Sequence, residues 1–532
     1  MAKTKKWVIY SLALISLLSF FIYSIPNSKA SENMAMVTMF EPDESAMVPV
    51  IRRMAGPHVN LVHTIYRLVA YGFYHYGFPH FFPSAIILKL LILFGQGENL
   101  PLLMLSMRQL ISVLPMLASL WVLVYLQDQF KTWRSVALFV FLLAVPAVVQ
   151  NGFWWHPDGL VMLISSLVLY FLWKDNQSFS KHFFISAILC GVLVALKVVG
   201  FFFFLTIAVV LIWGLIEKRL TWKQFFLKGV LFILIMAAAI VVASPHLLIP
   251  NHRALAFTVM RREILETSKG YGIFYEKGLS SAWETMRTFY GEAVFLLTVL
   301  GVSVWSMWDK TTRYLRILIL SWFLPLSIYL LFFSHFKYQY WLPVAIPILS
   351  NLILLLPQNK QAWTKNDKRN IIKIALLITV IVQFGLFLIR DIELFQIRNN
   401  RAENNPFIQF YDKALVELAP VTQDKLVYYD YRLYMPEKPG WFIENSFDLL
   451  TYDYIQSRNF DLLFLSQQRI RDYLQPSAVG IDPTTFAQSQ EFYRDADEEK
   501  LDGYRLLLRD DAVLLFIRQD VCEQYYTPDQ CD

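Results

Sequence analysis

Long apolar runs dominate this chain and limit it to folds that a lipid bilayer can hold. Runs of roughly 15 to 20 apolar residues recur between Trp7 and Ile389, and a helix of about 20 residues crosses a hydrocarbon core of about 30 Å. Only 17% of the 532 residues are charged, whereas soluble globular proteins carry about 25%. We therefore predict an all-α polytopic membrane domain over residues 1–389.

The composition changes at Arg390, where the apolar runs stop and charged residues become frequent. Segments with strand and helix patterns then alternate: a helix at Phe407–Leu418, strands at Lys425–Tyr429 and Asp461–Leu465, and a terminal hairpin at Tyr504–Leu508 and Ala512–Ile517. This alternation predicts a soluble α/β domain over residues 390–532.

The distribution of Lys and Arg predicts the orientation in the membrane, because short basic loops face the cytoplasm. With the N-terminus inside, the basic loops fall inside at every second turn, provided that Phe81–Phe94 is an interfacial helix on the outer surface. The count is then about 11 transmembrane helices, with a first outer loop at 26–107 and an extracytoplasmic C-terminal domain. We predict a multi-pass protein of the plasma (inner) membrane whose first run, Trp7–Ile25, is a retained signal anchor; a cleaved signal peptide is the alternative.

The net charge of +6 does not indicate a nucleic-acid partner, because the basic residues lie mainly in these short loops. Of the three cysteines, Cys522 and Cys531 bracket the C-terminus. They could close a small disulfide ring if the tail faces an oxidising compartment.

Two groups of acids lie in predicted outer loops. The segment Phe40-Glu41-Pro42-Asp43-Glu44-Ser45 belongs to the first loop, and Asp158 follows Trp154-Trp155-His156-Pro157. A solvated loop and a helix cap, respectively, are the simpler interpretations. Carboxylates that converge on one outer cavity could instead deprotonate a hydroxyl nucleophile.

Basic residues also lie in predicted outer positions, against the orientation rule. Lys197 ends a span, and the segment from Ser334 to Pro343 contains His335, Lys337 and Tyr340. Snorkelling lysines in an aromatic belt are one explanation. The other is a site for a lipid-linked phosphate or diphosphate, which needs cations for binding and for charge on the leaving group.

These motifs resemble those of the C-type integral membrane glycosyltransferases. The resemblance rests on the acidic pair of the first loop, the second acid, and two segments, Ala195-Leu196-Lys197-Val198-Val199-Gly200 and Lys337-Tyr338-Gln339-Tyr340-Trp341-Leu342-Pro343. It covers about residues 1 to 390 and is greatest for the branch of protein O-mannosyltransferases and aminoarabinose transferases. It implies inverting transfer of a hexose or pentose from a polyprenyl-phosphate donor to a lipid, glycan or protein acceptor. A protein acceptor is the least expected, because the chain lacks the domain that protein mannosyltransferases insert between spans.

The resemblance also implies roles for individual residues. Asp43 would be the base, Glu44 would support it, and Asp158 would orient the substrates. The substrate-binding residues would be His156, Lys197, His335, Lys337 and Tyr340. A divalent cation could join the phosphate, although no ligand spacing demands one.

Two further classes of function remain open from the sequence. A lipid or glycan transporter, or flippase, needs a site at mid-membrane depth or broken helices, and neither is evident in the sequence. A noncatalytic receptor would use the outer domain to bind a partner.

Overall fold

The structure is a computed structural model that describes residues 2–57, 59–270, 272–356, 368–399, 404–422, 424–446 and 450–531. It is mostly helical and contains one five-stranded sheet. Contacts divide it into two compact units. The first unit comprises Met1–Asn27, Pro49–Glu263 and Lys277–Phe395, and the second comprises Ser28–Val48, Ile264–Glu276 and Gln396–Asp532.

The α-helices are, in chain order, Ala2–Lys29 (α1), Met34–Phe40 (α2), Pro42–Ala55 (α3), Leu61–Val69 (α4), Phe78–Leu93 (α5), Leu100–Met107 (α6), Leu114–Asp128 (α7), Arg134–Leu143 (α8), Pro146–Asn151 (α9), Asp158–Asp175 (α10), Lys181–Leu196 (α11), Phe203–Ile216 (α12), Trp222–Ala243 (α13), Pro250–Lys269 (α14), Leu279–Tyr290 (α15), Ala293–Trp305 (α16), Arg313–Phe332 (α17), Tyr338–Leu349 (α18), Lys368–Asn399 (α19), Pro406–Glu417 (α20), Tyr452–Arg458 (α21), Gln467–Leu474 (α22), Pro483–Asp497 (α23), Gln519–Tyr525 (α24) and Pro528–Cys531 (α25). A π-helix at Arg108–Val113 joins α6 to α7, and 3₁₀ turns lie at Val198–Phe202, Pro245–Leu248, Ser306–Trp308 and Ser350–Leu355.

Seven helical segments in the described part of the chain are long and apolar enough to cross a membrane: Thr4–Lys29, Leu100–Asp128, Val198–Ile216, Trp222–Ala243, Arg313–Phe332, Tyr338–Leu355 and Ile372–Asn399. The pair α15 and α16 would make an eighth span, bent by 82°. The chain is thus an integral membrane protein, as predicted. The count of about 11 spans stays a prediction, because α5, α8 and α11 are apolar but only 10–17 residues long.

The bend between α15 and α16 is a broken helix that is not evident in the sequence. Gly291 has a φ of +110°, and a Cβ there would meet the Gln383 side chain at 2.8 Å. The next backbone N–H, of Glu292, donates to Gln383 Oε1 at 2.9 Å. A buried amide from α19 therefore satisfies a donor that the break frees.

The C-terminal end of α1 is bound tightly within the first unit. Arg108, in the π-helix, is fully buried and donates through Nη1 to the Asn27 carbonyl at 2.8 Å. The Asn27 side chain donates in turn to the carbonyl of Gly152 at 2.9 Å. These bonds join α1 to the segments after α6 and α9, whereas retention of α1 as a signal anchor stays a prediction.

The sheet of the second unit has the strand order β2-β1-β3-β5-β4, with β1 at Lys425–Tyr429, β2 at Trp441–Glu444, β3 at Leu462–Ser466, β4 at Tyr504–Arg509 and β5 at Val513–Arg518. β1 pairs in parallel with β2 and β3, and β5 pairs antiparallel with β3 and β4. The α/β class, the two strands and the hairpin are confirmed, while β2 was not predicted.

Cys522 and Cys531 form a disulfide.

A buried ion pair closes the carboxyl ends of the two central parallel strands. Asp430 directly follows β1, and its side chain accepts from Arg469 Nη1 at 3.0 Å and from the backbone N–H of Ser466 at 2.7 Å. The Asp430 side chain is 0% exposed and that of Arg469 is 8% exposed. Removing one partner would leave the other charge buried and unpaired.

We expect Arg469→Leu to lower the free energy of unfolding by about 3–5 kcal/mol, because it isolates the Asp430 carboxylate. Arg509→Leu is the matched control, since Arg509 pairs with Glu499 at 2.9 Å in solvent, and we expect it to cost at most about 1 kcal/mol. Urea unfolding of the detergent-solubilised protein measures both. Equal losses in the two variants would contradict this account of Asp430.

Candidate functional site

Asp158 is the centre of a buried ionic cluster in the first unit. Its side chain is 2% exposed, with Oδ1 at 2.6 Å from Lys197 Nζ and Oδ2 at 2.5 Å from His156 Nδ1. The cap of α10 is Pro157, and no side chain caps that helix, so the helix-cap interpretation of Asp158 is wrong. Both oxygens of the carboxylate are instead engaged by cationic or proton-bearing groups.

The pairing of Asp158 with Lys197 follows from the hairpin that α10 and α11 form. Asp158 is the first residue of α10, and Lys197 is the C-cap of α11. Because two consecutive antiparallel helices of similar length return to the same level, the start of one lies beside the end of the next. Lys197 has an extended backbone, which ends α11 before the 3₁₀ turn at Val198–Phe202.

The His156 imidazole contacts neighbouring side chains through a ring face and through both ring nitrogens. Its ring stacks on Trp154 with centroids 4.0 Å apart and planes 2° apart, and its Nε2 lies 2.9 Å from Tyr76 Oη. The His156 backbone N–H donates to the hydroxyl of Ser112, in the π-helix, at 3.3 Å. A π-helix within an α-helix is frequent at functional sites, and here it places a side chain against the turn that carries Asp158.

His80, in α5, is a second buried histidine beside this cluster, and the sequence did not single it out. It is 0% exposed, and in the described part of the chain neither ring nitrogen has a hydrogen-bond partner. Its ring stacks on Trp155 at 5.5 Å and meets Tyr76 edge-on at 6.0 Å. The only sequence signal would have been its place among aromatic residues in the first loop.

Tyr340 brings the two predicted lysines together. Lys197 Nζ lies 4.4 Å from the centroid of the Tyr340 ring, and Lys337 Nζ lies 5.7 Å from it. Both distances are within the range of cation–π attraction. Four of the predicted site residues, namely His156, Asp158, Lys197 and Tyr340, are thus joined by direct contacts, with Lys337 on the same ring.

His335 belongs to the loop between α17 and α18, two residues before Lys337. Burial and the positive charge of Lys337 lower the pKa of His335 to about 4. Its imidazole is therefore neutral at pH 7, and the lysines supply the positive charge in this part of the site.

The acids of the first loop belong to the second unit. Asp43 and Glu44 lie in the first turn of α3, where Asp43 is exposed and Glu44 is fully buried. Glu41 pairs with Arg398, whose guanidinium lies 4.6 Å from the Phe40 ring centroid. Burial raises the pKa of Glu41, against the opposing effect of Arg398. Glu41 thus holds the segment in place, and Asp43 is the acid that solvent reaches.

Apolar contacts also join this acidic segment to the C-terminal part of the second unit. Met36 and Met39 of α2 form a small core with Ile408 of α20. Asn33, which caps α2, donates to the hydroxyl of Tyr434 at 3.2 Å. The apolar run Met34–Phe40 is a sequence signal for the packing of α2. The sequence contains no signal for the ion pair between Glu41 and Arg398.

Within the residues that the structure describes, no group of three or more His, Cys, Asp or Glu side chains has the geometry to hold a metal ion. A divalent cation beside the phosphate stays a prediction from the resemblance.

Comparisons with known proteins identify relatives of the fold. No family model and no curated protein sequence matches the chain. Among solved structures, ArnT from Cupriavidus metallidurans bound to undecaprenyl phosphate matches with a TM-score of 0.55 at 12% identity, over 99% of this chain and 100% of that chain. ArnT from the same organism in the apo state matches with a TM-score of 0.52 at 12% identity and the same coverage.

The chain shares the fold of ArnT. The fold that the resemblance to the C-type integral membrane glycosyltransferases implies is therefore confirmed. The ArnT match extends over the C-terminal α/β domain as well, since it covers nearly the whole chain. The sugar, the acceptor and the roles of single residues do not follow from a match at this identity.

The lowered pKa of His335 predicts a pH-dependent contribution to stability. Between pH 6.5 and pH 4 the unfolded chain binds a proton at this residue and the folded chain does not, so acid favours unfolding. We expect His335→Asn to reduce the fall in melting temperature between pH 7 and pH 5, measured on detergent-solubilised protein. An identical fall in the wild type and the variant would contradict the assignment.

Proposed function

We propose that this protein is a glycosyltransferase that moves a sugar from a polyprenyl-phosphate-linked donor to an acceptor at the extracytoplasmic face of the membrane. The observation that carries the proposal is the cluster in which buried Asp158 holds Lys197 beside Tyr340 and Lys337. Such a cluster offers fixed cations to a lipid-linked phosphate. ArnT, which shares the fold, has been solved bound to undecaprenyl phosphate.

The proposed reaction is one displacement with inversion at the anomeric carbon. The acceptor oxygen attacks that carbon and loses its proton to a base, and the bond from the carbon to the phosphate oxygen breaks. The polyprenyl phosphate then leaves as an anion, which Lys197 and Lys337 stabilise. His156, His335 and Tyr340 complete the substrate-binding surface.

The proposed base is Asp43, with Glu44 in support. Asp158 is a poor candidate, because Lys197 and His156 occupy both of its oxygens and an incoming proton would compete with them. Asp43 is exposed, so an acceptor hydroxyl can reach its carboxylate. Asp158 would then orient the donor indirectly, through Lys197 and His156, whereas the resemblance implies that it orients the substrates themselves.

The proposed topology follows the charge pattern. The N-terminus would be cytoplasmic, and the first loop at 26–107 and the α/β domain at 390–532 would face the outside of the plasma (inner) membrane. The acceptor would be a lipid or glycan in preference to a protein. A disulfide between Cys522 and Cys531 is compatible with an oxidising compartment.

Transport of a lipid or glycan is the second candidate, and the break between α15 and α16 is the observation that favours it. The two candidates differ in their product. A transferase forms a glycosylated acceptor and free polyprenyl phosphate, whereas a transporter moves its cargo into vesicles without forming either.

Asp43→Asn tests the base. We expect normal expression and membrane insertion, and transfer to purified acceptor lipids or glycans at least 100-fold slower, because an amide cannot take the acceptor proton. Asp412→Asn, at an exposed acid of α20 in the same unit, is the control and should be unaffected. Unchanged transfer in Asp43→Asn would remove Asp43 from the role of base, and uptake without glycosylated product would favour the transporter.

Lys197→Met tests the phosphate cation, and we expect kcat/KM for the polyprenyl-phosphate donor to fall by about 10²–10³. Lys174→Met is the matched control, because Lys174 lies in the last turn of α10, the other helix of the hairpin, with its Nζ 5.5 Å from the centroid of the Tyr170 ring. The double variant Lys197→Met with Asp158→Asn removes the unpaired buried carboxylate. If that variant melts like the wild type and still transfers at the wild-type rate, Lys197 does not bind the phosphate.

A further inference from the structure

The loop before α5 carries Tyr76 to the end of α11, beside Lys197. The N–H of Gly77 donates to the carbonyl of Leu196 at 3.3 Å. A Cβ at position 77 would come within 1.8 Å of the Ala195 carbonyl oxygen, so only glycine permits this approach. The Tyr71 hydroxyl donates to the Tyr76 carbonyl at 3.0 Å, which fixes the backbone from the other side.

Four side chains then form a continuous line of hydrogen-bonding distances. Tyr76 Oη lies 2.9 Å from His156 Nε2, His156 Nδ1 lies 2.5 Å from Asp158 Oδ2, and Asp158 Oδ1 accepts from Lys197 Nζ at 2.6 Å. The three side chains that follow Tyr76 in this line are buried or nearly so, since His156 is 3%, Asp158 2% and Lys197 17% exposed. The structure therefore isolates the line from water over most of its length.

The placement of protons in this line follows from the groups present. An ionised carboxylate has no proton to give, so its close ionic contact of 2.5 Å with His156 is favourable when Nδ1 carries a proton. In a neutral imidazole the other nitrogen is then an acceptor, and Tyr76 is the group that donates to it. The hydroxyl of Tyr76 thus selects the tautomer of His156 that supports Asp158.

We propose that Tyr76 is a positioning residue of the transferase, which fixes His156 and through it the Asp158–Lys197 pair that meets the donor phosphate. The proposal rests on the function proposed above and adds a residue that neither the sequence motifs nor the resemblance assigned. Loss of the hydroxyl removes the donor to Nε2, so the proton of His156 is no longer confined to the Asp158 side. Lys197 then loses part of the fixed geometry that phosphate stabilisation requires.

A double-mutant cycle tests the proposal, with Tyr76→Phe, His156→Asn and the two combined. The amide of Asn can replace Nδ1 toward Asp158 but has no atom at the position of Nε2. We expect Tyr76→Phe alone to lower kcat/KM for the polyprenyl-phosphate donor about tenfold, mainly through kcat. In the His156→Asn background the same substitution should have no further effect on kcat/KM, because the Tyr76 hydroxyl affects Asp158 and Lys197 through Nε2.

Tyr74→Phe is the matched control. It removes a hydroxyl from the same loop, but that hydroxyl lies 2.6 Å from His252 Nδ1, and transfer should stay unchanged. Equal losses from Tyr76→Phe in both backgrounds would show that Tyr76 does not act through His156, and no loss in either would show that it positions nothing; each result overturns the proposal.

Melting temperatures of the same four proteins test the coupling of Tyr76 to His156 independently of the proposed function. If the wild type shows no transfer with polyprenyl-phosphate sugars, the function fails. The coupling of Tyr76 to His156 then still predicts that Tyr76→Phe lowers the melting temperature in the wild type and leaves that of His156→Asn unchanged. Additive shifts would overturn the coupling itself.

Discussion

The burial of the Asp158 carboxylate is the constraint on which the candidate site depends. A carboxylate withdrawn from water is costly unless opposite charge and hydrogen bonds replace its hydration. Here Lys197 and His156 do so, one on each oxygen. The cost of burial therefore enforces the positions of both partners, because neither can leave without exposing an unpaired charge to an apolar surrounding.

The second unit also contains a buried ion pair, but there the pair attaches one segment of the chain to another. Glu41 and Arg398 are buried together, and with the contacts of Met36 and Met39 they attach the acidic segment to the C-terminal part of the unit. The C-terminal part of the second unit therefore has a structural task within its own unit, which is to hold the turn of α3 where Asp43 lies.

The sequence predicted the classes of structure that depend on pattern. Apolar runs predicted the membrane helices, alternation predicted β1, β3 and the hairpin, and the loop charges led to the motifs around Asp158, Lys197 and Tyr340. The sequence did not predict contacts between residues that are distant along the chain. Arg398 is 357 residues from Glu41 and Tyr76 is 80 residues from His156, and nothing in local composition marks such pairs. The edge strand β2 was missed because four residues, partly exposed, carry little pattern.

The broken helix at Gly291 bears on the choice between transfer and transport. In transporters, the backbone groups freed by such a break coordinate the substrate or an ion. Here the N–H of Glu292 at the break is bonded to Gln383, and a Cβ at Gly291 would collide with that same side chain. At least one of the freed donors is thus satisfied by the protein, which makes the break a feature of packing. Fixed cations around Tyr340, with a paired carboxylate behind them, are more suited to stabilising a leaving phosphate than to releasing a cargo on the other side.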